Sequence, residues 1–203
     1  MTSPSALISD ARKAAACGNL LESTVANIES FLGGQSDPVA LESVRELLDT
    51  ANWAELNDRF FRTLAFGTGG LRGRSIGRTV THAERGTPLP NGRPEFPCTG
   101  TNALNDFNMA RATRGLVEYV LEWWGSRAGR PAVVIAHDTR HFSREFAMLC
   151  AQVASDLGCE VHLFESARST PELSFAVRQL RAQAGIVLTA SHNPPHDNGF
   201  KCY

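Results

Sequence analysis

The fold is decided by residues 131–191, which read PAVVIAHDTRHFSREFAMLCAQVASDLGCEVHLFESARSTPELSFAVRQLRAQAGIVLTAS. Three short apolar runs, PAVVIAHD (131–138), EVHLF (160–164) and GIVLTA (185–190), are typical of buried strands. The segments between them have apolar residues at helical spacing. Strand, helix, strand, helix, strand predicts an α/β domain, a layered helix–sheet–helix arrangement whose sheet is mostly parallel and whose crossovers are right-handed.

Ligands of such sheets bind beyond the carboxyl ends of the strands. Three polar loops leave those ends in this chain. They are HDTR (137–140), ESARST (165–170) and SHNPPHDNG (191–199). We therefore expect the functional residues in these loops.

The part of the chain before this sheet is predicted to be helical at first and irregular afterwards. Apolar stripes predict three helices near the N-terminus, with Asp37 as an N-cap and Pro38 at the first helical position. A fourth helix is predicted from Met109 to Trp124. Residues 65–102, rich in Gly, Pro and Thr, are typical of a functional or mobile segment. The helical stripes comprise Leu21, Val25, Ile28 and Leu32, then Leu41, Val44 and Leu48, then Trp53, Leu56, Phe60 and Leu64.

Composition excludes several classes of protein. The 203 residues carry a formal net charge of −1, so we expect neither nucleic acid nor a membrane surface as a partner. No run approaches the roughly 18 apolar residues of a membrane span, and the start lacks the pattern of a signal peptide. Five cysteines without a CxxC pair are interpreted as reduced thiols of a cytoplasmic protein, with Cys202 in the core.

The stretch TASHNPPHDNGFKCY (189–203) is a candidate phosphoryl-transfer site. The strand delivers Ser191 to a loop that Pro194 and Pro195 stiffen, and Asn198-Gly199 is typical of a tight turn. Lys201 follows and could return near the serine. A hydroxyl on a rigid loop beside an ammonium suits phosphoryl transfer. A plain polar surface loop is the alternative interpretation.

The stretch FGTGGLRG (66–73) suits an anion as well. Glycines let backbone N–H groups approach anionic oxygens, and the guanidinium of Arg72 can grip a phosphate through two hydrogen bonds. The stretch matches neither the dinucleotide fingerprint nor the Walker loop. A flexible linker is the alternative interpretation.

Asp138 and Arg140 lie at the end of the first predicted strand. They could form a structural ion pair with each other, or they could support the functional site. Metal binding is disfavoured at two histidine groups. His137 and His141 straddle a strand end rather than a helix, and a proline separates His192 from His196 and Asp197.

Three of these stretches resemble motifs of the α-D-phosphohexomutase family, which includes phosphoglucomutase, phosphomannomutase and phosphopentomutase. TASHNPP with NGFK resembles the phosphoserine loop, FGTGGLRG the N-terminal GT-x-G-x-RG loop, and HDTRHFSREFA a third family stretch. The resemblance implies that Ser191 carries the phosphoryl group and offers its phosphate to a metal, and that Lys201, Arg72 and His192 take part in catalysis. It further implies phosphate or substrate contacts by Thr68, Gly69, Arg72, Asn193, Asp138 and Arg140.

The resemblance covers roughly residues 52–203, which we predict to be the first domain of that family, incomplete at its C-terminus, after a helical extension over residues 1–51. The opening WAELNDRFFRTLAFGTGGLRG and the helix TNALNDFNMARATRGLVEYV resemble the longer branch, with phosphoglucomutases, phosphopentomutase-like enzymes and glucose-1,6-bisphosphate synthases. The insertion at 74–98 departs from the family pattern.

The implied activity is transfer of a phosphoryl group between the 1- and 6-positions of a hexose phosphate, most simply glucose, through a sugar bisphosphate, with Mg²⁺ as cofactor. No D-x-D-x-D magnesium motif occurs in the sequence. We therefore expect a fragment of a longer protein that is inactive alone. The alternatives are phosphopentomutase, phosphomannomutase, bisphosphate synthase, a silent sugar-phosphate-binding relative, or an unrelated phosphate-binding module.

Overall fold

The computed structural model of the chain describes residues 3–34, 37–67, 69–87 and 89–203. Two compact units make up the chain. The first comprises residues 1–65 and 73–105, and the second comprises residues 66–72 and 106–203. These units are defined by contacts. The division at residue 51 suggested by the sequence concerns family domains and stays a prediction.

Helices form most of the first unit. They are α1 (Pro4–Ala16), α2 (Glu22–Gly33), α3 (Pro38–Asp49), α4 (Trp53–Phe60) and the short α5 (His82–Arg85). The three helices predicted from apolar stripes are α2, α3 and α4. Asp37 caps α3 as expected, since its carboxylate accepts a 3.0 Å hydrogen bond from the Val39 N–H.

Two helix predictions in this unit were wrong in detail. The sequence reading missed α1 because two of its three buried residues are alanines, which add little to an apolar stripe. Helix α4 ends at Phe60, so Leu64 lies beyond it, although its side chain is still buried. The unit's core joins all four longer helices, and the Phe31 and Phe60 rings pack edge to face at 5.6 Å.

The segment between residues 65 and 102 is anchored by a buried arginine. Arg59 of α4 is 2% exposed, and its Nε donates to Glu55 at 2.9 Å. Its Nη1 donates to Glu84 of α5 at 2.5 Å, and Glu84 accepts a further 2.8 Å bond from the Thr99 N–H. The insertion at 74–98 thus contributes one carboxylate of a buried charge cluster, a role that sequence analysis did not find. Within the described residues of 65–102, regular structure is confined to a four-residue strand and α5.

The second unit contains a five-stranded mixed sheet. Its elements are the first two residues of β1 (Leu71–Arg74), then α6 (Asp106–Trp124), β2 (Ala132–His137), α7 (Ser143–Asp156), β3 (Glu160–Leu163), α8 (Thr170–Gln179), β4 (Ala184–Leu188) and β5 (Asp197–Cys202). The strand order is β1-β5-β4-β2-β3. Strand β2 is parallel to β3 and β4, whereas β5 is antiparallel to β4. The predicted α/β class, the parallel strands and the helical N-terminal segment are confirmed.

Strand β5 corrects the expectation of a tight turn at Asn198-Gly199. Both residues lie inside the strand and are buried. The Asn198 amide donates at 2.9 Å to both the His141 carbonyl and the Ser143 hydroxyl, which satisfies this polar side chain without a turn. A Cβ at Gly199 would lie 2.4 Å from the Thr189 carbonyl oxygen, so the close strand contact needs glycine.

The order of the strands decides where a ligand can bind. The chain moves outward from β2 to the edge strand β3 and then returns past β2 to β4. Helix α8 packs through Leu173 on Val134 of β2 and Val187 of β4. The direction of connection therefore reverses at β2, and the carboxyl ends of β2 and β4 flank the crevice that open α/β sheets use for ligands.

Candidate functional site

Ser191 is exposed and lies three residues beyond β4, at the edge of the sheet where the parallel strands have their carboxyl ends. Its φ is +59°, in the left-handed region that non-glycine residues seldom adopt. The Ser191 N–H donates to the Thr189 hydroxyl at 2.9 Å, which holds this conformation. The serine hydroxyl therefore stands at the surface on a constrained backbone.

Arg140, in the loop after β2, holds the Ser191 loop by its backbone. Its guanidinium donates to the carbonyls of Ser191 at 2.6 Å, Pro194 at 2.9 Å and Asp197 at 3.3 Å. Its Nε lies 3.2 Å from the Asp138 carboxylate, in an ion pair whose arginine side chain is 12% exposed. The geometry of Arg140 is that of a brace between the ends of β2 and β4.

Asp138 ties this brace to the start of α7. One carboxylate oxygen accepts from the Arg140 N–H at 2.9 Å and from the Ser143 hydroxyl at 2.7 Å. Ser143 in turn accepts the bond from Asn198 of β5. Asp138 therefore lies in a hydrogen-bonded network that links β2, α7 and β5.

Arg72 and Asn193 are brought together from distant parts of the sequence. Arg72 Nη1 donates to the Asn193 side-chain oxygen at 3.4 Å, and the Asn193 amide donates to Asp197 at 3.1 Å. Arg72 is exposed, so its other donors can meet a ligand. The backbone of Gly69 lies close to the Arg72 guanidinium. A Cβ atom added at Gly69 would be only 3.1 Å from Arg72 Nη2. Thr68, also predicted to contact phosphate, lies outside the described residues.

The glycine-rich loop containing Arg72 is seated directly on β5. Gly67 and Gly70 exchange two backbone hydrogen bonds of 3.1 and 3.2 Å. Gly70 has a φ of +96°, and a Cβ there would lie 2.2 Å from the Phe200 carbonyl oxygen. Position 70 therefore needs glycine, both for its backbone conformation and for lack of space. The loop lies against β5, the strand that follows the Ser191 loop.

Lys201 and His192 have no contact with the brace. Lys201 pairs with Val187 in the β4–β5 register, four residues before Ser191 along the chain. His192 is exposed. Within the described ranges, neither side chain makes a hydrogen bond or ion pair. Their roles stay predictions.

The cysteines divide by exposure. Cys17 and Cys202 are exposed, whereas Cys98, Cys150 and Cys159 are buried. The core position expected for Cys202 was therefore wrong, since it ends β5 near the last described residue. Burial raises the pKa of the Cys98 and Cys150 thiols to about 12. All five are free thiols, as expected.

The described residues do not fit a magnesium site by themselves. No group of three or more His, Cys, Asp or Glu side chains among them could hold a metal ion. A phosphate on Ser191 would add oxygen ligands, but the nearby Asp138 and Asp197 carboxylates already pair with Arg140 and Asn193. No helix in the described part of the chain is long and apolar enough to cross a membrane.

Sequence reasoning named most residues at this edge but missed two. Ser143 and Asn198 are both 0% exposed and connect α7 to β5. The available signal for Ser143 was a serine at the predicted start of the helix. The role of Asn198 could not be found from sequence because Asn-Gly is so often a turn.

Comparison with known proteins identifies the family to which this sequence is similar. A family described as phosphoglucomutase/phosphomannomutase, alpha/beta/alpha domain I, matches residues 98–203. A phosphoglucomutase of Staphylococcus epidermidis is 36% identical over 160 residues, which are 79% of this chain and 24% of that protein. A phosphoglucomutase of Staphylococcus aureus gives the same identity and coverage.

A solved structure is similar as well. The crystal structure of a putative phosphomannomutase from Thermus thermophilus aligns with a TM-score of 0.50 at 32% identity. The alignment covers 70% of this chain and 25% of that one. The chain thus spans about a quarter of the length of the relatives it matches.

Proposed function

This chain belongs to the phosphoglucomutase/phosphomannomutase family, and from that membership we propose that it supplies the phosphoserine of a hexose-phosphate mutase. The enzyme would move a phosphoryl group between the 1- and 6-positions of the sugar through a bisphosphate. Glucose is the proposed sugar because the curated relatives compared above are named phosphoglucomutase.

One observation carries the proposal. Ser191 is an exposed hydroxyl on a left-handed backbone in a loop that Arg140 holds by three carbonyls. A fixed nucleophile suits phosphoryl transfer, in which positioning supplies much of the catalysis. An ordinary surface loop has no need of such a brace.

The proposed transfer has two halves, and Ser191 carries a phosphoryl group before the first and again after the second. In the first half, the bond from phosphorus to Ser191 Oγ breaks and a bond to a sugar hydroxyl oxygen forms. The proton of that hydroxyl ends on Ser191 Oγ. In the second half, the bisphosphate has turned, and Ser191 Oγ takes its other phosphoryl group and returns a proton to the sugar oxygen.

The other predicted residues have proposed roles in charge and orientation. Arg72 would neutralise phosphate oxygens, with Gly69 allowing the close approach and Asn193 orienting the guanidinium. Lys201 would add a point charge, and His192, next to Ser191, would take part in proton movement. Asp138 and Arg140 would act through the loop backbone.

Magnesium and a sugar bisphosphate activator are part of the same proposal. When bound, Mg²⁺ neutralises charge on the transferring phosphoryl group. The described residues supply no complete site for it, so every step above is assigned to the chain's own residues. The remaining parts of the proposal are a cytoplasmic location and a small-molecule substrate, without nucleic acid or membrane partners.

Mannose phosphate is the second candidate substrate. The solved structure that aligns with this chain is described as a putative phosphomannomutase. The two sugars differ only in the configuration at one ring carbon. Turnover of the purified enzyme with glucose 1-phosphate and with mannose 1-phosphate therefore distinguishes them.

Phosphopeptide mapping tests the central claim. In protein isolated from cells, we expect the phosphate on Ser191. Ser191→Ala should remove both the phosphate and the turnover. Ser166→Ala, an exposed serine in the neighbouring loop 165–170, is the matched control and should keep both. Phosphate found reproducibly on another residue, with Ser191 bare and turnover intact, would refute the proposal.

A further inference from the structure

The peptide group between Ala190 and Ser191 is held at both of its polar ends. Its N–H, which belongs to Ser191, donates to the Thr189 hydroxyl at 2.9 Å. Its carbonyl, which belongs to Ala190, accepts a 3.2 Å hydrogen bond from the Asn193 N–H. Because a peptide group is planar, these two bonds fix the orientation of the whole plane that leads into Ser191.

The next peptide group is held by a different residue. The carbonyl of Ser191 accepts a 2.6 Å hydrogen bond from the Arg140 guanidinium. The φ and ψ angles of a residue describe how its two flanking peptide planes are turned relative to each other. Since both planes are held, the left-handed conformation of Ser191, with a φ of +59°, is determined from both sides.

This conformation is an unusual one for serine. The bond from the Asn193 N–H to the Ala190 carbonyl closes a four-residue turn, in which Ser191 is the first central residue. Turns with a positive φ at that position are dominated by Gly, Asn and Asp, since a Cβ atom is crowded there. A flip of the Ala190–Ser191 peptide would relieve the crowding by returning Ser191 to the negative φ range that most residues adopt.

Thr189 is well placed to prevent this flip because its own backbone is fixed on β5. Its N–H donates to the Gly199 carbonyl at 2.9 Å, and a Cβ at Gly199 would lie 2.4 Å from the Thr189 carbonyl oxygen. The threonine is 7% exposed, and a β-branched side chain has few χ1 rotamers. The hydroxyl oxygen therefore keeps its position beside the Ser191 N–H.

We propose that Thr189 is a positioning residue for phosphoryl transfer, whose hydroxyl prevents a flip of the Ala190–Ser191 peptide and so keeps the Ser191 hydroxyl in one place. Thr189 acts through the backbone of Ser191 rather than on the phosphate. Strained backbone conformations persist only where the surroundings determine them several times over. The inference rests on the proposed function, because a fixed serine affects turnover only if that serine carries the phosphoryl group.

The first test observes the backbone of Ser191 without any catalysis, by NMR of the ¹⁵N-labelled 203-residue chain. Thr189→Val keeps the shape of the side chain and removes the acceptor. It should speed exchange of the Ser191 amide hydrogen about threefold to tenfold, as expected for loss of one neutral hydrogen bond. The coupling between the amide and α hydrogens of Ser191 should change as well, because it depends on φ.

Three further variants complete this test. Thr189→Ala, which also lacks the acceptor, should behave like Thr189→Val, whereas Thr189→Ser should keep the slow exchange and the coupling of the unaltered chain. Thr113→Val is the matched control. It removes the 2.8 Å hydrogen bond from another buried threonine to the Met109 carbonyl and should leave the Ser191 amide unchanged.

The second test measures turnover of the active enzyme with glucose 1-phosphate. Thr189→Val should lower kcat about threefold to tenfold and leave KM nearly unchanged, and Thr189→Ser should restore most of kcat. Thr113→Val should keep kcat, which controls for the loss of a buried hydrogen bond as such.

An unchanged Ser191 amide in folded Thr189→Val would overturn the proposal. So would an unaltered kcat in that variant while Ser191→Ala is inactive, or an equal loss of kcat in Thr113→Val. Full turnover of Ser191→Ala would instead refute the proposed function and with it the effect on catalysis. The amide measurements would then still decide whether Thr189 holds the peptide.

Discussion

The guanidinium of Arg140 donates a 2.6 Å hydrogen bond to the backbone carbonyl of Ser191. The same group reaches the carbonyls of Pro194 and Asp197, so one side chain from the end of β2 fixes both ends of the loop after β4. From the sequence, an ion pair with Asp138 and a supporting role at the site were both open for Arg140, and the resemblance implied a phosphate or substrate contact. In this structure Arg140 pairs with Asp138 and donates to the loop backbone, which makes it a positioning residue, and its contact with phosphate stays a prediction.

Arg140→Lys should therefore lower kcat of the active enzyme and leave KM nearly unchanged. An ammonium cannot serve three carbonyls in the fixed geometry of a guanidinium. The expected loss is about tenfold to a hundredfold, as for removal of one or two charge-assisted bonds. Steady-state kinetics with glucose 1-phosphate measure it, and Arg168→Lys, in the neighbouring loop, is the control. A raised KM with unchanged kcat would mean that Arg140 binds the substrate phosphate itself.

Arg72→Ala should lower kcat/KM by one to two decades with little change in melting temperature. Arg72 is exposed, and its hydrogen bond to Asn193 is long, so folding depends little on it. A lost charge-assisted phosphate contact costs about 1.5–3 kcal/mol. Arg72→Lys should recover only part of the rate because it cannot make the forked contact.

Kinetics and thermal melts of these Arg72 variants are compared with Arg114→Ala, an exposed arginine of α6. If Arg72→Ala melts early and the unfolded fraction accounts for the lost rate, Arg72 is structural. The interpretation of FGTGGLRG as a phosphate-binding loop would then have to be withdrawn.

Glu84→Gln should destabilise the first unit strongly. Arg59 and Glu84 are 2% and 1% exposed, and the substitution leaves the buried guanidinium with one of its two carboxylate partners, Glu55. Loss of the charge-assisted bonds to Glu84 costs about 1.5–3 kcal/mol. Glu42→Gln breaks the exposed Arg45–Glu42 pair and should cost less than about 1 kcal/mol. Urea denaturation of both variants gives the comparison, and equal midpoints would contradict the buried cluster.

Thiol labelling should separate the cysteines into two classes. With the pKa of Cys98 and Cys150 raised to about 12 by burial, only about one thiol in ten thousand is ionised at pH 8. Burial also raises the pKa of Cys159. Ellman's reagent at pH 8 should therefore react rapidly with Cys17 and Cys202 alone, and with all five after denaturation. Rapid reaction of a third thiol in the folded chain would show that a buried site opens.

The fold was predictable where local pattern and burial agree. Strands β2 and β4 are mostly apolar and contain the β-branched residues Val and Ile, and their parallel pairing follows from the intervening helices. Strand β5 was not predictable, because DNGFKC has few apolar residues. It forms a strand because the Asn198 amide is satisfied by groups of the His141–Ser143 segment, 55 to 57 residues away in the sequence.

The sequence predicted which edge of the sheet holds the candidate site, but not the contacts made there. The topology brings Ser191, Asp138 and Arg140 to one edge of the sheet, as expected from strand order. Which donor meets which acceptor depends on the loop backbone. That dependence explains why the carbonyl contacts of Arg140 and the register position of Lys201 were not foreseen.

The buried cluster of Arg59 has a consequence for the evolution of the chain. Glu55 lies on the same helix as Arg59, whereas Glu84 lies in the insertion at 74–98. A relative that lost the insertion would lose the Glu84 carboxylate and the Thr79 carbonyl that accept from this guanidinium, and would leave Glu55 as its carboxylate partner. Arginine at this position and the insertion should therefore be gained and lost together among homologues, so that a single helical residue reports whether the insertion is present.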